Sequence, residues 1–179
     1  MKYKFSHLII CILLFTTLVQ AQPVKQHGAL KVSGVQLVDA QNKPVMLRGV
    51  SYGWHNFWPR FYNAGSVNWL VKDWSINVIR AAMGIEPKDG FLQKKDWSTE
   101  KVKAVVDAAI KEGIYVIIDW HSHGIQLEQA KAFFSEMATA YGQHTNVIYE
   151  IFNEPDYETW HEIKAYSEEI IKTIRSIDS

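Results

Sequence analysis

From residue 45 onward, runs of apolar residues alternate with segments whose apolar positions recur every three to four residues, and the two patterns take turns along the chain. Ahead of them, Val35-Gln36-Leu37-Val38 and Val45-Met46-Leu47 flank the polar stretch Asp39–Pro44. Two short apolar runs around a polar turn predict a hairpin, its second strand continuing to Val50. Ser66 stands where a helix cap is wanted, before Val67, Leu70, Val71 and Trp74 on one helical face. Asn77–Met83 reads as a strand. Asp96 or Ser98 caps the next helix, whose stripe is Val102, Val105, Val106, Ala109 and Ile110, with Gly113 as its stop. Ile114–Ile118 is an unbroken β-branched run, the pattern of a strand covered on both faces. A helix over Leu127–Tyr141 turns Ala130, Phe133, Phe134, Met137 and Tyr141 inward and stops at Gly142. Val147–Phe152 is the next strand. Thr159 and Glu162 have capping-box spacing and open a last helix with Ile163, Tyr166, Ile170 and Ile174 inward.

One hairpin followed by four βα units predicts a parallel sheet with helices outside it. The repeat does not separate an open doubly wound sheet from a closed barrel. No G-x-G-x-x-G follows the first strand, so nothing supports a dinucleotide site. A closed (β/α)₈ TIM barrel needs eight units and about 250 residues. Against the 179 residues here, the expectation is a truncated barrel, an incomplete chain of low stability by itself.

Composition narrows the setting. Residues 1–21 read as a signal peptide: Lys2 and Lys4, then apolar Leu8–Leu18 broken by Thr16 and Thr17, then Val19-Gln20-Ala21. The apolar stretch is shorter than the roughly 20 residues of a membrane span. The expected organisation is therefore a signal peptide at 1–21, a flexible lead-in at 22–29 and a half barrel at 30–179. The mature protein is expected to be secreted or periplasmic, without stable membrane association. The single cysteine, Cys11, falls in the signal, so no disulfide or thiol chemistry is expected. Nineteen Lys and Arg balance nineteen Asp and Glu, which gives no reason to expect a nucleic-acid partner. Seven Trp exceed what a core of this size requires and suggest ligand stacking.

Candidate chemistry gathers where strands end. Parallel strands bring their C-terminal ends to one face, so residues distant in sequence converge there. Arg80, the Asp119-Trp120-His121-Ser122-His123 segment and Asn153-Glu154-Pro155 all sit at such ends. Glu154 is the candidate acid or base, with Pro155 restricting its backbone to extended geometry. Asn153 suits a sugar hydroxyl, because its amide both donates and accepts. Arg80 needs a partner in apolar surroundings; Asp119 or Glu150 can supply it, as a purely structural pair or as one that tunes a nearby carboxylate. His121 is a hydrogen-bond donor to substrate; His123 is a loop residue. Asp119, His121 and His123 match no recognised zinc spacing, and neither metal nor cofactor is expected. No G-x-S-x-G elbow is present. Tyr52-Gly53-Trp54-His55-Asn56-Phe57-Trp58 holds four rings in seven residues, a stacking platform in which Trp54, His55 and Trp58 would meet substrate.

These segments resemble glycoside hydrolase family 5, the cellulase family, and in particular its bacterial endoglucanase subfamily 2. The resemblance rests on Asn77–Met83, on Gly113–His121 and above all on Asn146-Val147-Ile148-Tyr149-Glu150-Ile151-Phe152-Asn153-Glu154-Pro155. It implies a (β/α)₈ barrel that cleaves internal β-1,4-glucosidic bonds with retention, acting on a glucan polysaccharide or oligosaccharide as a monomer when full length. It further implies that Glu154 is the acid/base, that Asn153 binds the hydroxyl beside the cleaved bond, that Arg80 supports the nucleophile and that His121 lines the site. The nucleophile of the family is a second Glu on a later strand, outside this chain, so the 179-residue product is expected to be inactive. A glucan-binding product without hydrolysis, a β-mannanase and a xyloglucanase are the alternatives. Two departures from the family pattern stand at the site: Gly53-Trp54 replaces a common His-Gly pair, and Gly84 occupies a place often followed closely by an aromatic.

Overall fold

The computed structural model describes residues 22–178; the expected signal peptide lies outside them. The first element is a five-residue helix, α1 (Pro23–His27), where a flexible lead-in was expected. Pro23 presets its first turn. The segment is tied down at both ends: Val24 N–H donates to the Gly113 carbonyl, and the Tyr115 hydroxyl donates to the Gly28 carbonyl at 2.7 Å.

The hairpin is present but displaced from its expected register. Its strands are β1 (Lys31–Ser33) and β2 (Gln36–Val38), joined at Gly34 and Val35. Gly34 takes φ 59°, which the tight turn requires, and Val35 is fully exposed. The polar stretch after β2 folds on Asp39, whose carboxylate accepts from the Gln41 and Lys43 amides at 2.9 Å each. Toward β2 the 44–47 segment makes a bridge between Pro44 and Val38 and a hydrogen bond from Val45 N–H to the Leu37 carbonyl, while the Met46 carbonyl accepts from Asn77 Nδ2.

Four parallel strands follow in chain order, β3 (Gly49–Ser51), β4 (Val78–Gly84), β5 (Tyr115–His121) and β6 (Val147–Glu150). Between and after them run α2 (Ala64–Trp74), α3 (Lys95–Glu112), α4 (Leu127–Tyr141) and α5 (Trp160–Arg175). A parallel sheet of adjacent, sequential strands with helices between is part of the (β/α)₈ pattern. The caps differ in part from expectation. Asn63, not Ser66, caps α2 by accepting from Ser66 N–H. No side chain caps α3, whose Ser98 is instead buried at the site. The Thr159–Glu162 capping box forms as expected, and Gly113 closes α3 at φ 71°.

The two faces of the sheet are unlike. Ile79, Ala81, Met83, Val116, Ile118 and Trp120 point to the helices and are wholly or almost wholly buried. They pack with Val67, Val105, Ala109, Phe133, Phe134, Met137 and Ile170 into one core. Each fully buried large apolar side chain in this layer stabilises the fold by about 1.5–3 kcal/mol. The alternate positions, Arg80, Ile117, Ile148 and Glu150, lie on the concave face and are only partly buried. The strand at 115–121 is thus sealed on its helix side and half-open on the other. Trp74, expected inward on α2, is exposed and contacts Trp69 at a ring distance of 6.0 Å. Gly49 is needed for strand pairing: a Cβ there would lie 1.7 Å from the Val78 carbonyl oxygen.

Candidate active site

Register decides which polar groups meet. Ser51 pairs with Arg80 in one row, and Ala82, Asp119 and Glu150 pair in the next row two residues along, so these concave-face residues form a band two rows deep. Arg80 is its centre. Its Nε and Nη2 donate to Glu150 Oε2 and Oε1, both at 2.7 Å, a bidentate pair. Nη2 also lies 2.9 Å from Asp119 Oδ2 and 2.9 Å from Asn153 Oδ1, and Nη1 reaches Ser51 Oγ at 3.2 Å. The Glu150 carboxylate, first, holds the guanidinium pKa above its usual range. Both partners proposed for Arg80 from the sequence are therefore engaged at once.

Asp119 is completely buried, and its Oδ2 meets His121 Nδ1 at 2.6 Å. Burial pushes its carboxyl upward; His121 and Arg80 oppose the shift, while Glu150 adds to it. The Asp119 contact orients the His121 ring, which packs edge-on against Trp54 at 4.8 Å. Asn153 gives its oxygen to Arg80, and its buried Nδ2 has no hydrogen-bond partner among the described residues.

Glu154 stands farther out. Its side chain is 70% exposed, and its backbone N–H donates to the Ser122 carbonyl at 3.3 Å. Among the described residues its carboxylate faces one partner, His123, with Oε2 4.0 Å from Nε2. His123 connects it to the rest: its ring lies 6.3 Å from that of His121 and 5.5 Å from that of Trp54. Arg80, His121 and Asn153 are thus in direct or one-step contact, and Glu154 joins them through His123 on the same rim.

The aromatic segment divides. Trp54 stacks on Phe57 at 5.5 Å and 19° and occupies the space left by Gly84, where a Cβ would come within 3.0 Å of the Trp54 ring. The Gly53-Trp54 and Gly84 departures are therefore one structural feature, a tryptophan leaning over a strand end that has no side chain. Trp58 is about half exposed, lies against Gly53 and carries Arg60 over its ring at 5.7 Å. His55 corrects the expectation of substrate contact, because it has no exposed surface. Gly84 N–H donates to its Nδ1 at 3.1 Å, which leaves Nε2–H to donate to Ser98 Oγ at 2.8 Å. Burial, aided by Lys101, pushes its pKa down to about 4, so it is neutral.

Sequence reasoning missed the carboxylates that shape the rim. Glu86, just after β4, accepts from the Ser122 hydroxyl and from the His123 and Gly124 amides. Glu158 accepts from Ile125 N–H at 3.1 Å. Asp156 faces His123 Nδ1 at 3.3 Å. None follows a local pattern; each becomes visible only when three loops are brought side by side. Among the described residues no group of three or more His, Cys, Asp or Glu is arranged to hold a metal ion. A cavity of about 590 Å³ lies beside β3 and α2, lined by Val50, Phe61, Trp69 and Leu70 among others, and adjoins the polar band at Ser51.

Such an arrangement can bind a polyhydroxylated ligand between rings and amide donors, while Glu154 exchanges a proton. The model of the cellulase family, glycosyl hydrolase family 5, matches residues 38–179. An endoglucanase of Clostridium saccharobutylicum is 42% identical over 99% of this chain and 42% of its own length. Endoglucanase N of Pectobacterium atrosepticum is 42% identical over 88% and 37%. Among solved structures, one from Cytophaga hutchinsonii superposes with TM-score 0.86 at 44% identity, covering 89% of this chain and 53% of the other. The catalytic domain of a Thermobifida fusca endoglucanase gives 0.82 at 36%, covering 88% and 53%. The chain spans about two-fifths of the length of these curated relatives and about half of the solved domains. The parallel sheet, the strand-end site and the family match lead to one conclusion: this chain belongs to the cellulase family, glycosyl hydrolase family 5.

Proposed function

We propose that the chain carries the acid/base half of the active site of an exported endo-β-1,4-glucanase that works with retention. The observation that carries this reading is the Asn153–Glu154 pair. Arg80 fixes the Asn153 oxygen and leaves its buried Nδ2 free to donate to a ligand hydroxyl, and the adjacent carboxyl is open to solvent. Trp54 and Trp58 line the approach as stacking surfaces. Relatives described as endoglucanases favour β-1,4-glucan as the substrate.

Retention requires two carboxyl groups about 5–5.5 Å apart. Glu154 protonates the leaving oxygen, then removes a proton from the water that resolves the glycosyl-enzyme. The attacking carboxylate must keep an exposed oxygen open to the anomeric carbon. Glu150 is committed to Arg80, and Asp119 to Arg80 and His121. We therefore place the nucleophile in sequence beyond residue 179, beside Arg80, whose guanidinium would hold it ionised. It follows that the 179-residue chain alone does not hydrolyse glucan. Export from the cytoplasm is proposed from the signal-like residues 1–21; among the described residues no helix is long and apolar enough to cross a membrane.

The test is reducing-sugar release from carboxymethylcellulose by the intact gene product and by residues 22–179 alone. The intact protein should be active and Glu154→Gln should lower kcat by about 10²–10⁴-fold, while residues 22–179 alone show none. Glucan binding by the intact protein without hydrolysis would favour a non-catalytic binding role, and faster cleavage of mannan or xyloglucan would reassign the substrate.

A further inference from the structure

We propose that His123, held by Asp156, is a positioning residue for Glu154; the inference rests on the assignment of Glu154 as acid/base. An acid/base needs its carboxyl fixed relative to the leaving oxygen, yet the Glu154 side chain is 70% exposed and faces a single described partner, His123 Nε2 at 4.0 Å. The imidazole is itself gripped from several directions. Asp156 Oδ2 lies 3.3 Å from its Nδ1, and Trp54 packs at 5.5 Å against its face. His123 N–H donates to Glu86, and its carbonyl accepts from Asp156 N–H at 3.4 Å. The loops after β3 and β6 thus touch the ring, and Glu86 after β4 holds the backbone of the same residue.

Chemistry gives the ring its orientation. A carboxylate 3.3 Å from Nδ1 favours a proton on that nitrogen, which leaves Nε2 to face Glu154. At 4.0 Å the two groups are in ion-pair range and not hydrogen-bonded; on closer approach Nε2 would accept from the protonated carboxyl when the ring is neutral, or donate to the carboxylate as imidazolium. His123 keeps its own protons through the step. The Glu154 proton passes to the leaving oxygen, which takes the electron pair of the breaking carbon–oxygen bond.

Two measurements on the intact gene product test the proposal. In protein carrying ¹⁵N-labelled histidine, neutral His123 should be the Nδ1–H tautomer, and Asp156→Asn should move it toward Nε2–H; a wild-type ring protonated on Nε2 instead overturns the assignment. Kinetically, His123→Ala should lower kcat on cello-oligosaccharides about 10-fold, a part of the range expected of acid catalysis. On 2,4-dinitrophenyl β-cellobioside, whose leaving group needs no proton, it should cost less than about 2-fold, with KM unchanged. Asp156→Asn should repeat the pattern more weakly, and it replaces His123→Ala should that variant not fold. Equal losses on both substrates, or no loss on either, overturn the proposal. Should wild type cleave neither substrate, the glucanase reading has failed, and the tautomer measurement still decides whether Asp156 orients His123 toward Glu154.

Discussion

Replacing Arg80 by methionine tests the polar band directly. The substitution keeps most of the side-chain volume and removes one cation shared by Glu150, Asp119 and Asn153. Asp119 is fully buried and would lose its nearest cation, whereas Glu150 is about one-third exposed and can hydrate. Breaking a buried pair costs about 3–5 kcal/mol, and the access of Glu150 to water places the expectation near the lower end, about 3 kcal/mol. For a domain of this size that corresponds to roughly 6–12 °C in Tm. The loss also depends on pH. Burial holds the Asp119 pKa above its ordinary 3.8, and removal of the guanidinium raises it further. A carboxyl with a raised folded-state pKa contributes most below its unfolded pKa, and that contribution disappears as pH rises through the folded value. Arg80→Met should therefore be closest to wild type below about pH 4 and fall behind as pH rises. Adding Asp119→Asn should restore part of the stability near neutrality. Urea melts at several pH values measure this; a loss below about 1 kcal/mol, or one that grows toward acid, would refute the reasoning.

The remaining predictions concern other parts of the frame. His55 is buried and neutral with its pKa pushed down to about 4, so wild type should lose stability as pH falls from about 6.5 to 4, by up to about 3 kcal/mol. His55→Gln should flatten that slope in the same melts, at some cost from the Ser98 and Gly84 hydrogen bonds. Gly49→Ala sets a Cβ against the Val78 carbonyl and should cost more than about 2 kcal/mol, seen as a lower urea midpoint. Trp54→Ala should weaken cello-oligosaccharide binding in calorimetry at least about 10-fold with little change in Tm; equal loss of both would make Trp54 a core residue.

Much of the frame was legible because it depends on periodicity and backbone chemistry. The α4 boundaries, the Thr159 capping box and the Gly113 stop follow from local rules, and the structure contains them. Where a tertiary neighbour decides, the pattern misled. Trp74 has the right helical angle, but nothing lies opposite it among the described residues. β1 carries one apolar residue, Val32, so it gave no strand signal, while the Asp39 turn drew the hairpin off its expected pairing. At the site, strand ends predicted Arg80, His121, Asn153 and Glu154 because parallel topology brings them to one rim. His55 read as a ligand contact since sequence cannot tell a buried histidine from an exposed one. Glu86, Asp156 and the connecting role of His123 arise from loops more than 30 residues apart, and no local pattern announces them.

The central claim is that Glu154 is the proton donor and acceptor of a retaining site. Its most direct measurement is chemical rescue of Glu154→Ala in the intact protein, with dinitrophenyl cellobioside as substrate and azide as the added nucleophile. With the acid/base removed, a glycosyl-enzyme still forms and azide resolves it, so rate should recover and β-cellobiosyl azide should accumulate. An α-azide product, or full activity of Glu154→Ala without azide, would contradict the assignment.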